Sequence, residues 1–109
     1  MAPPSRRERI ESMLESEPED AFLRYSLALE LEKDAEHDGS LELLRALAYD
    51  GASYVPAYFM AGQQLVKLGR VSEARQFLRD GIEAARVQGD AHAAGEMSEF
   101  LASLGDAAS

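Results

Sequence analysis

The sequence contains no cysteine and no tryptophan, and aromatic residues make up only 7% of it. The absence of cysteine excludes disulfides and thiol chemistry and is compatible with a reducing compartment. No run of about 18 apolar residues occurs, so no transmembrane helix is expected. The first nine residues are polar and charged, unlike a signal peptide, which needs an apolar stretch. We therefore expect a cytoplasmic protein.

Basic residues are also scarce. The chain has 11 Lys and Arg against 20 Asp and Glu, which gives a formal net charge of -9. An acidic surface repels phosphate groups, so neither nucleic acid nor a membrane is expected as a partner. The excess lies in residues 1–54, with 13 acids against 6 bases, whereas residues 55–109 have 7 against 5. Two explanations stay open: a solubility device, or an acidic edge that steers a basic partner.

The composition of the chain is that of one folded domain. It has 109 residues, of which 46% are hydrophobic and 28% are charged. That apolar content is sufficient for a buried core, and the length leaves little room for a second domain.

An internal repeat with a period of about 34 residues is the strongest signal in the sequence. At this spacing apolar residues align with apolar residues and small residues with small ones. The aligned sets are Ile10, Leu44 and Leu78; Leu14, Ala48 and Ile82; Tyr25 and Phe59; Ala28 and Gly62; Leu31 and Leu65; and Leu43 and Phe77. We refer to this alignment as the repeat register.

Within each unit, apolar residues recur at steps of three and four, as on one face of a helix. The predicted helices cover roughly residues 5–16, 19–34, 39–50, 55–68, 72–87 and 90–104. Gly69 suits a helix C-cap, and Ser72 and Asp38 are predicted N-caps. No segment alternates with a period of two, so no strand is expected. The predicted fold is an all-α stack of about six helices, packed as antiparallel pairs.

This pattern resembles the tetratricopeptide repeat (TPR) family, whose signature is W-x2-L-G-x2-Y, A-x3-F and Pro within each repeat. The matching residues are Arg24, Leu27, Ala28, Leu31, Ser40 and Leu44 in one unit, and Tyr58, Ala61, Gly62, Leu65, Ala74 and Leu78 in the next. The resemblance implies a single TPR-like domain over residues 1–109. Its parts are a partial repeat at about 5–20, repeats at 21–54 and 55–88, and a C-terminal capping helix at 90–104.

Departures from the family pattern occur at several positions. Ala52 and Arg86 stand where the family has the closing Pro, and Gly81 stands where it usually has Ala. A glycine inside a helix costs about 1 kcal/mol relative to Ala. Gly81 therefore marks either a close helix contact or a bend. The repeat register is expected to fail after Arg86, and the last helix is interpreted as a cap that covers the open end of the stack.

The resemblance also implies a site, because the first helix of each TPR unit usually lines a concave groove. The corresponding residues are Phe22, Tyr25, Leu29, Phe59, Gln63 and Val66, with Ala93 or Met97 continuing the row. These side chains are mostly apolar, so the groove suits an amphipathic helix or an apolar peptide segment. The alternative is that Tyr25 and Phe59 are core residues, since periodicity does not distinguish a buried face from a binding face.

Catalytic, metal and cofactor sites are not expected. His92 and Glu96 lie one helical turn apart, but two ligands do not make a zinc site, and a surface His beside a carboxylate explains them. Paired acids such as Glu30 and Asp34 are interpreted as exposed helix surface. The serines lack the context of a catalytic nucleophile.

The predicted function is thus a non-catalytic protein–protein interaction module, an adaptor or chaperone-like protein that binds a peptide or helix in the groove. The alternative is a self-association module. A short stack has open ends, and Ile10, Met13 and Leu14 of the first helix could pair with a second copy, so the chain is either a monomer or a homodimer through its terminal helices.

Overall fold

The computed structural model describes residues 2–51 and 53–105, and Ala52, one of the positions where Pro was expected, lies outside them. Six α-helices follow one another in this part of the chain, which contains no strand. They are α1 (Arg6–Ser16), α2 (Ala21–Lys33), α3 (His37–Tyr49), α4 (Val55–Lys67), α5 (Val71–Val87) and α6 (Ala91–Ser103). Helices adjacent in sequence pack against each other, and α4 also contacts α6. The all-α prediction is confirmed.

The repeat register is visible in the helices themselves. Both ends of α4 lie one repeat period after the corresponding ends of α2, and the start of α5 lies one period after the start of α3. The helix α6 breaks this register. One period after the start of α4 would be residue 89, but α6 begins two residues later, at Ala91. Every helix end lies within two residues of its predicted position.

Side-chain caps start three of the helices. Ser5 and Glu8 form a reciprocal capping box at α1, in which Ser5 Oγ accepts from Glu8 N at 3.1 Å and Glu8 Oε1 accepts from Ser5 N at 2.9 Å. Both interactions lower the pKa of Glu8, and the hydrogen bond from the Ser5 backbone contributes more than that with the Ser5 hydroxyl. Asp20 caps α2 and Asp90 caps α6. Each cap satisfies backbone N–H groups that the helix itself leaves without a partner.

The predicted caps Ser72 and Asp38 are wrong. Both residues lie inside the first turn of their helices, since α5 and α3 each begin one residue before them. The reason lies in the preceding turns, where Gly69 (φ 78°) and Ala35 (φ 61°) adopt the left-handed conformation. Each turn closes with a short bond back to the preceding helix, such as that from Arg70 N to the Leu65 carbonyl oxygen at 2.8 Å. The next helix begins directly after each turn, so Arg70 and Glu36 take the N-cap positions, where neither makes a side-chain cap bond.

A continuous core runs along the stack. Its largest fully buried apolar side chains, Leu44, Leu65, Leu78 and Met97, come from four successive helices. Tyr58 is also buried, and its hydroxyl donates to the Ala48 carbonyl oxygen at 2.6 Å. This bond ties the start of α4 to the end of α3.

Gly81 explains how α4, α5 and α6 approach so closely. A Cβ added at this position would lie 2.5 Å from Tyr58 Cβ and 2.6 Å from Met97 Sδ. Of the two explanations for a glycine here, close packing is therefore the one that applies. The absence of a side chain at Gly81 lets both Tyr58 and Met97 meet the backbone of α5.

The first helix is attached to the stack by one buried side chain and a set of ion pairs. Ile10 is 4% exposed, so it is not available for pairing with a second copy, contrary to the sequence expectation. Arg6 Nε lies 3.3 Å from Glu30 Oε2, and Arg7 pairs with Asp34 at 3.0 Å and with Glu36. The expectation of an exposed Glu30 is also wrong, because its side chain is only 12% exposed.

Candidate groove between α4 and α6

A groove lies between α4 and α6, next to α2. Its volume is about 210 Å³. The lining residues are Tyr25, Val55, Pro56, Phe59, Met60, Gln63, Asp90, Ala93, Glu96 and Met97. Most of these side chains are apolar. We refer to this set as the α4–α6 groove.

Half of the predicted groove residues line it. Tyr25, Phe59 and Gln63 do, together with Ala93 and Met97, which were expected to continue the row. The other three predicted residues do not line this groove. Phe22 is 64% exposed on α2, whereas Leu29 and Val66 are half-buried.

The aromatic residues of the groove are supported by other rings. The ring centroids of Tyr25 and Tyr54 are 5.6 Å apart, and those of Phe59 and Phe100 are 5.8 Å apart. The pKa of Tyr25 is raised mainly by burial and to a lesser extent by the neighbouring Tyr54, so its hydroxyl stays neutral at physiological pH. Tyr25 and Phe59 also pack against the core, which means that each belongs partly to the core and partly to the groove surface. Such packing restricts their rotamers and preorganises the surface.

A second cavity of about 520 Å³ continues the groove toward the turns that precede α2, α4 and α6. The two cavities share Val55, Pro56 and Asp90. The second one also reaches Glu19 and Asp50 in the neighbouring turns. Together they form a continuous furrow that leads from an apolar part to an acidic end.

Some residues of the groove were not found from the sequence, namely Val55, Pro56, Met60, Asp90 and Glu96. In the repeat register, Glu96 falls in the column of the small residues Ala28 and Gly62. Because α6 is displaced by two residues, Glu96 instead corresponds to Met60, and both line the groove. Asp90 could have been found as the residue before a helix, since its Oδ1 accepts from Ala93 N at 3.0 Å.

The histidines form pairs with carboxylates. His92 Nε2 lies 3.3 Å from Glu96 Oε1, with side chains that are 87% and 51% exposed. His37 Nδ1 lies 2.7 Å from Glu32 Oε2. Within residues 2–51 and 53–105, no three residues of the types His, Cys, Asp and Glu lie together in a geometry that could hold a metal ion.

None of the described helices is both long enough and apolar enough to cross a bilayer.

Comparison with known proteins gives a structural relative. No family model matches the chain, and no curated protein matches its sequence. The solution structure of protein BPP2914 from Bordetella parapertussis, a Northeast Structural Genomics Consortium target, superposes with a TM-score of 0.76. The two sequences are 31% identical over 94% of this chain and 89% of that protein. The chain belongs to the same protein family as BPP2914.

Proposed function

We propose that this protein is a TPR-like, non-catalytic interaction module that binds a peptide or helix in the α4–α6 groove. Support for the TPR relationship comes from the equal spacing of α2 with α4 and of α3 with α5. The small residues Ala28 and Gly62 are buried where the repeat pattern places them, one in each unit. The proposal includes a cytoplasmic location, which rests on the sequence alone.

The size and lining of the groove carry the proposal. The α4–α6 groove opens into the second cavity of about 520 Å³, so it is not a closed small-molecule site. Its own volume of about 210 Å³ is below the roughly 300–1,000 Å³ of such sites. It is somewhat larger than the cavity of about 150 Å³ that binds benzene in an engineered protein. The groove is therefore suited to one bulky apolar side chain. Since such a side chain must be presented by a larger partner, a peptide or protein segment is the ligand that fits.

Filling the groove tests the proposal. Ala93 is half-buried in the lining of the groove and lies on α6. An Ala93→Gln substitution keeps the net charge and places a longer polar side chain in the groove. Ala102 lies on the exposed side of the same helix and does not line the groove, so Ala102→Gln is the matched control.

The assay is affinity capture from a lysate of the cells that make this protein, with wild type and both variants. Circular dichroism first establishes that all three have the same helix content. A protein captured by wild type and by the Ala102→Gln variant, but lost from the Ala93→Gln variant, supports the groove. Equal capture by all three, or no capture by any, contradicts it.

Self-association is a second candidate, and one observation favours it. Met13 is 48% exposed on α1, a helix that packs chiefly against α2 and ends the described stack. Ile10 is buried in the same chain and cannot contribute. In sedimentation equilibrium, a homodimer through α1 should show a mass that rises with concentration, and Met13→Glu should abolish that rise. A constant monomer mass contradicts this candidate.

A further inference from the structure

The carboxylates along the furrow give information about the ligand. Four carboxylates line the two joined cavities, from Glu19, Asp50, Asp90 and Glu96. Among the described residues, Arg24 is the only Lys or Arg in either lining. The apolar part is therefore continuous with a region of negative charge. A partner that places an apolar side chain in the α4–α6 groove brings its neighbouring residues close to these carboxylates.

These carboxylates are not neutralised within the described part of the chain. Neither Glu19, Asp50 nor Asp90 has a Lys or Arg nitrogen within 4.0 Å, and Glu96 has only His92. Ion pairs lie elsewhere, for example at Arg7 beside the α2–α3 turn. Because the net charge of the protein is -9, the field of the rest of the molecule adds to that of the furrow.

Charge also decides between two possible occupants of the furrow, a second copy of this chain and a basic segment of another protein. A second copy of this chain would bring another charge of -9 toward the acidic end, where like charges repel. A segment with Lys or Arg beside its apolar residues would instead find opposite charge within the Debye length, about 8 Å at physiological salt. The charge complementarity favours the basic segment.

We propose that the ligand of the α4–α6 groove is a basic amphipathic segment, with one bulky apolar side chain in the groove and Lys or Arg residues facing Asp50, Asp90 and Glu96. This inference rests on the proposed function and adds the chemistry of the partner. The apolar contact supplies most of the affinity, whereas the carboxylates speed association and reject acidic segments.

The probe is a displayed library of random 16-residue peptides, selected against the 109-residue chain. Enriched peptides should combine an aromatic or large aliphatic residue with two or more Lys or Arg residues. Raising the salt concentration from 0.05 M to 0.5 M should weaken their binding. The Ala93→Gln variant should not bind them, which shows that they occupy the groove.

A pair of double variants with the same change in net charge locates the effect. Asp50→Asn with Glu96→Gln removes two carboxylates of the furrow, and Glu42→Gln with Glu83→Gln removes two exposed carboxylates that line neither cavity. The furrow variant should bind the selected peptides about threefold to tenfold more weakly than wild type, the effect of two surface ion pairs. The control variant should bind them within about twofold of wild type.

The outcomes separate the two proposals. Groove-dependent peptides that are neutral or acidic, or equal losses in both double variants, overturn the basic ligand and leave the groove function standing. If no peptide depends on Ala93, both proposals fail. Weaker binding confined to the furrow variant supports the basic segment.

Discussion

The contact of α5 with α4 and α6 predicts that Gly81→Ala destabilises the protein, although alanine is the better helix former. The new methyl group would lie 2.5 Å from Tyr58 Cβ and 2.6 Å from Met97 Sδ. Normal contacts between carbon atoms are about 3.5–4.0 Å. Met97 can rotate its flexible side chain, but Tyr58 Cβ is fixed to the backbone of α4. The helices α4 and α5 must therefore separate by about 1 Å to restore a normal contact.

The magnitude follows from two opposing effects. Adding a methylene to a well-packed core costs about 1–3 kcal/mol, and a contact with a fixed atom belongs at the upper end of this range. Replacing glycine by alanine inside a helix stabilises by about 1 kcal/mol. The net loss should thus be about 2 kcal/mol, which corresponds to a fall in Tm of roughly 10 °C for a chain of this size.

Two other helical glycines provide the controls. Apart from its chain neighbours and the nearby backbone of its own helix, no described residue has an atom within 4 Å of a Cβ added at Gly95, so Gly95→Ala should stabilise by about 0.5–1 kcal/mol through helix propensity alone. At Gly62 the Cβ would lie 2.9 Å from Cδ2 and 3.0 Å from Cγ of Leu78, side-chain atoms that can shift more easily than Tyr58 Cβ, so Gly62→Ala should fall between the other two. Urea unfolding monitored by circular dichroism measures all three. A Gly81→Ala variant as stable as Gly95→Ala would refute the close approach of these helices.

Three further predictions concern single interactions. Tyr49→Phe removes a 2.6 Å hydrogen bond to Asp80 and should lower the free energy of unfolding by about 0.5–1.5 kcal/mol. Burial is the main cause that raises the pKa of Tyr49 in the folded protein, and the hydrogen bond to Asp80 is the next. The stabilisation by the neutral hydroxyl is therefore present below the pKa of an unfolded tyrosine, about 10, and is lost as the pH rises above that value. Between pH 9 and pH 12, the urea midpoint of the Tyr49→Phe variant should change less than that of wild type. Gln64→Met should leave the free energy of unfolding unchanged or raise it by about 1 kcal/mol in thermal melts. The reason is that Nε2 of the buried Gln64 has no partner among the described residues, and that its Oε1 accepts only a long hydrogen bond from Ser40 Oγ, at 3.2 Å. A loss above about 1 kcal/mol would contradict this. Ile10→Ala should cost about 2–3 kcal/mol in urea unfolding, since Ile10 is the one buried side chain of α1, and a loss below about 0.5 kcal/mol would show that α1 depends on its ion pairs instead.

The fold could be predicted because the same spacing is written into the chain twice. Apolar pairs such as Leu44 with Leu78 mark the same buried position in α3 and α5, and both are fully buried. The turns were placed correctly from Gly69 and its neighbours, since only a few residue types adopt positive φ without strain. The repeat register aligns Ala35 with Gly69, and Ala35 fills the same role although it is not glycine.

The site was predicted less completely, for a geometric reason. Periodicity identifies which face of a helix is apolar but not how far apart two such faces lie. Phe22 and Tyr25 lie one turn apart on α2, yet only Tyr25 lines the groove. The carboxylate of Glu96 was missed because its place in the groove depends on the two-residue displacement of α6, which is a property of the packing at the end of the stack.

This displacement gives α6 two roles, as a cap on α5 and as one wall of the groove. Met97 contacts the backbone at Gly81 and also lines the groove, so the packing of α6 sets the groove width. A methyl group at position 81 should displace the Met97 side chain, which lines the groove, and should separate α5 from α4, although it touches no ligand. Under conditions where Gly81→Ala is folded, it should therefore bind the library-selected peptides more weakly than Gly95→Ala does, measured by fluorescence anisotropy. Equal affinities would mean that the groove adapts to the position of α6, and the cap would then have no influence on binding.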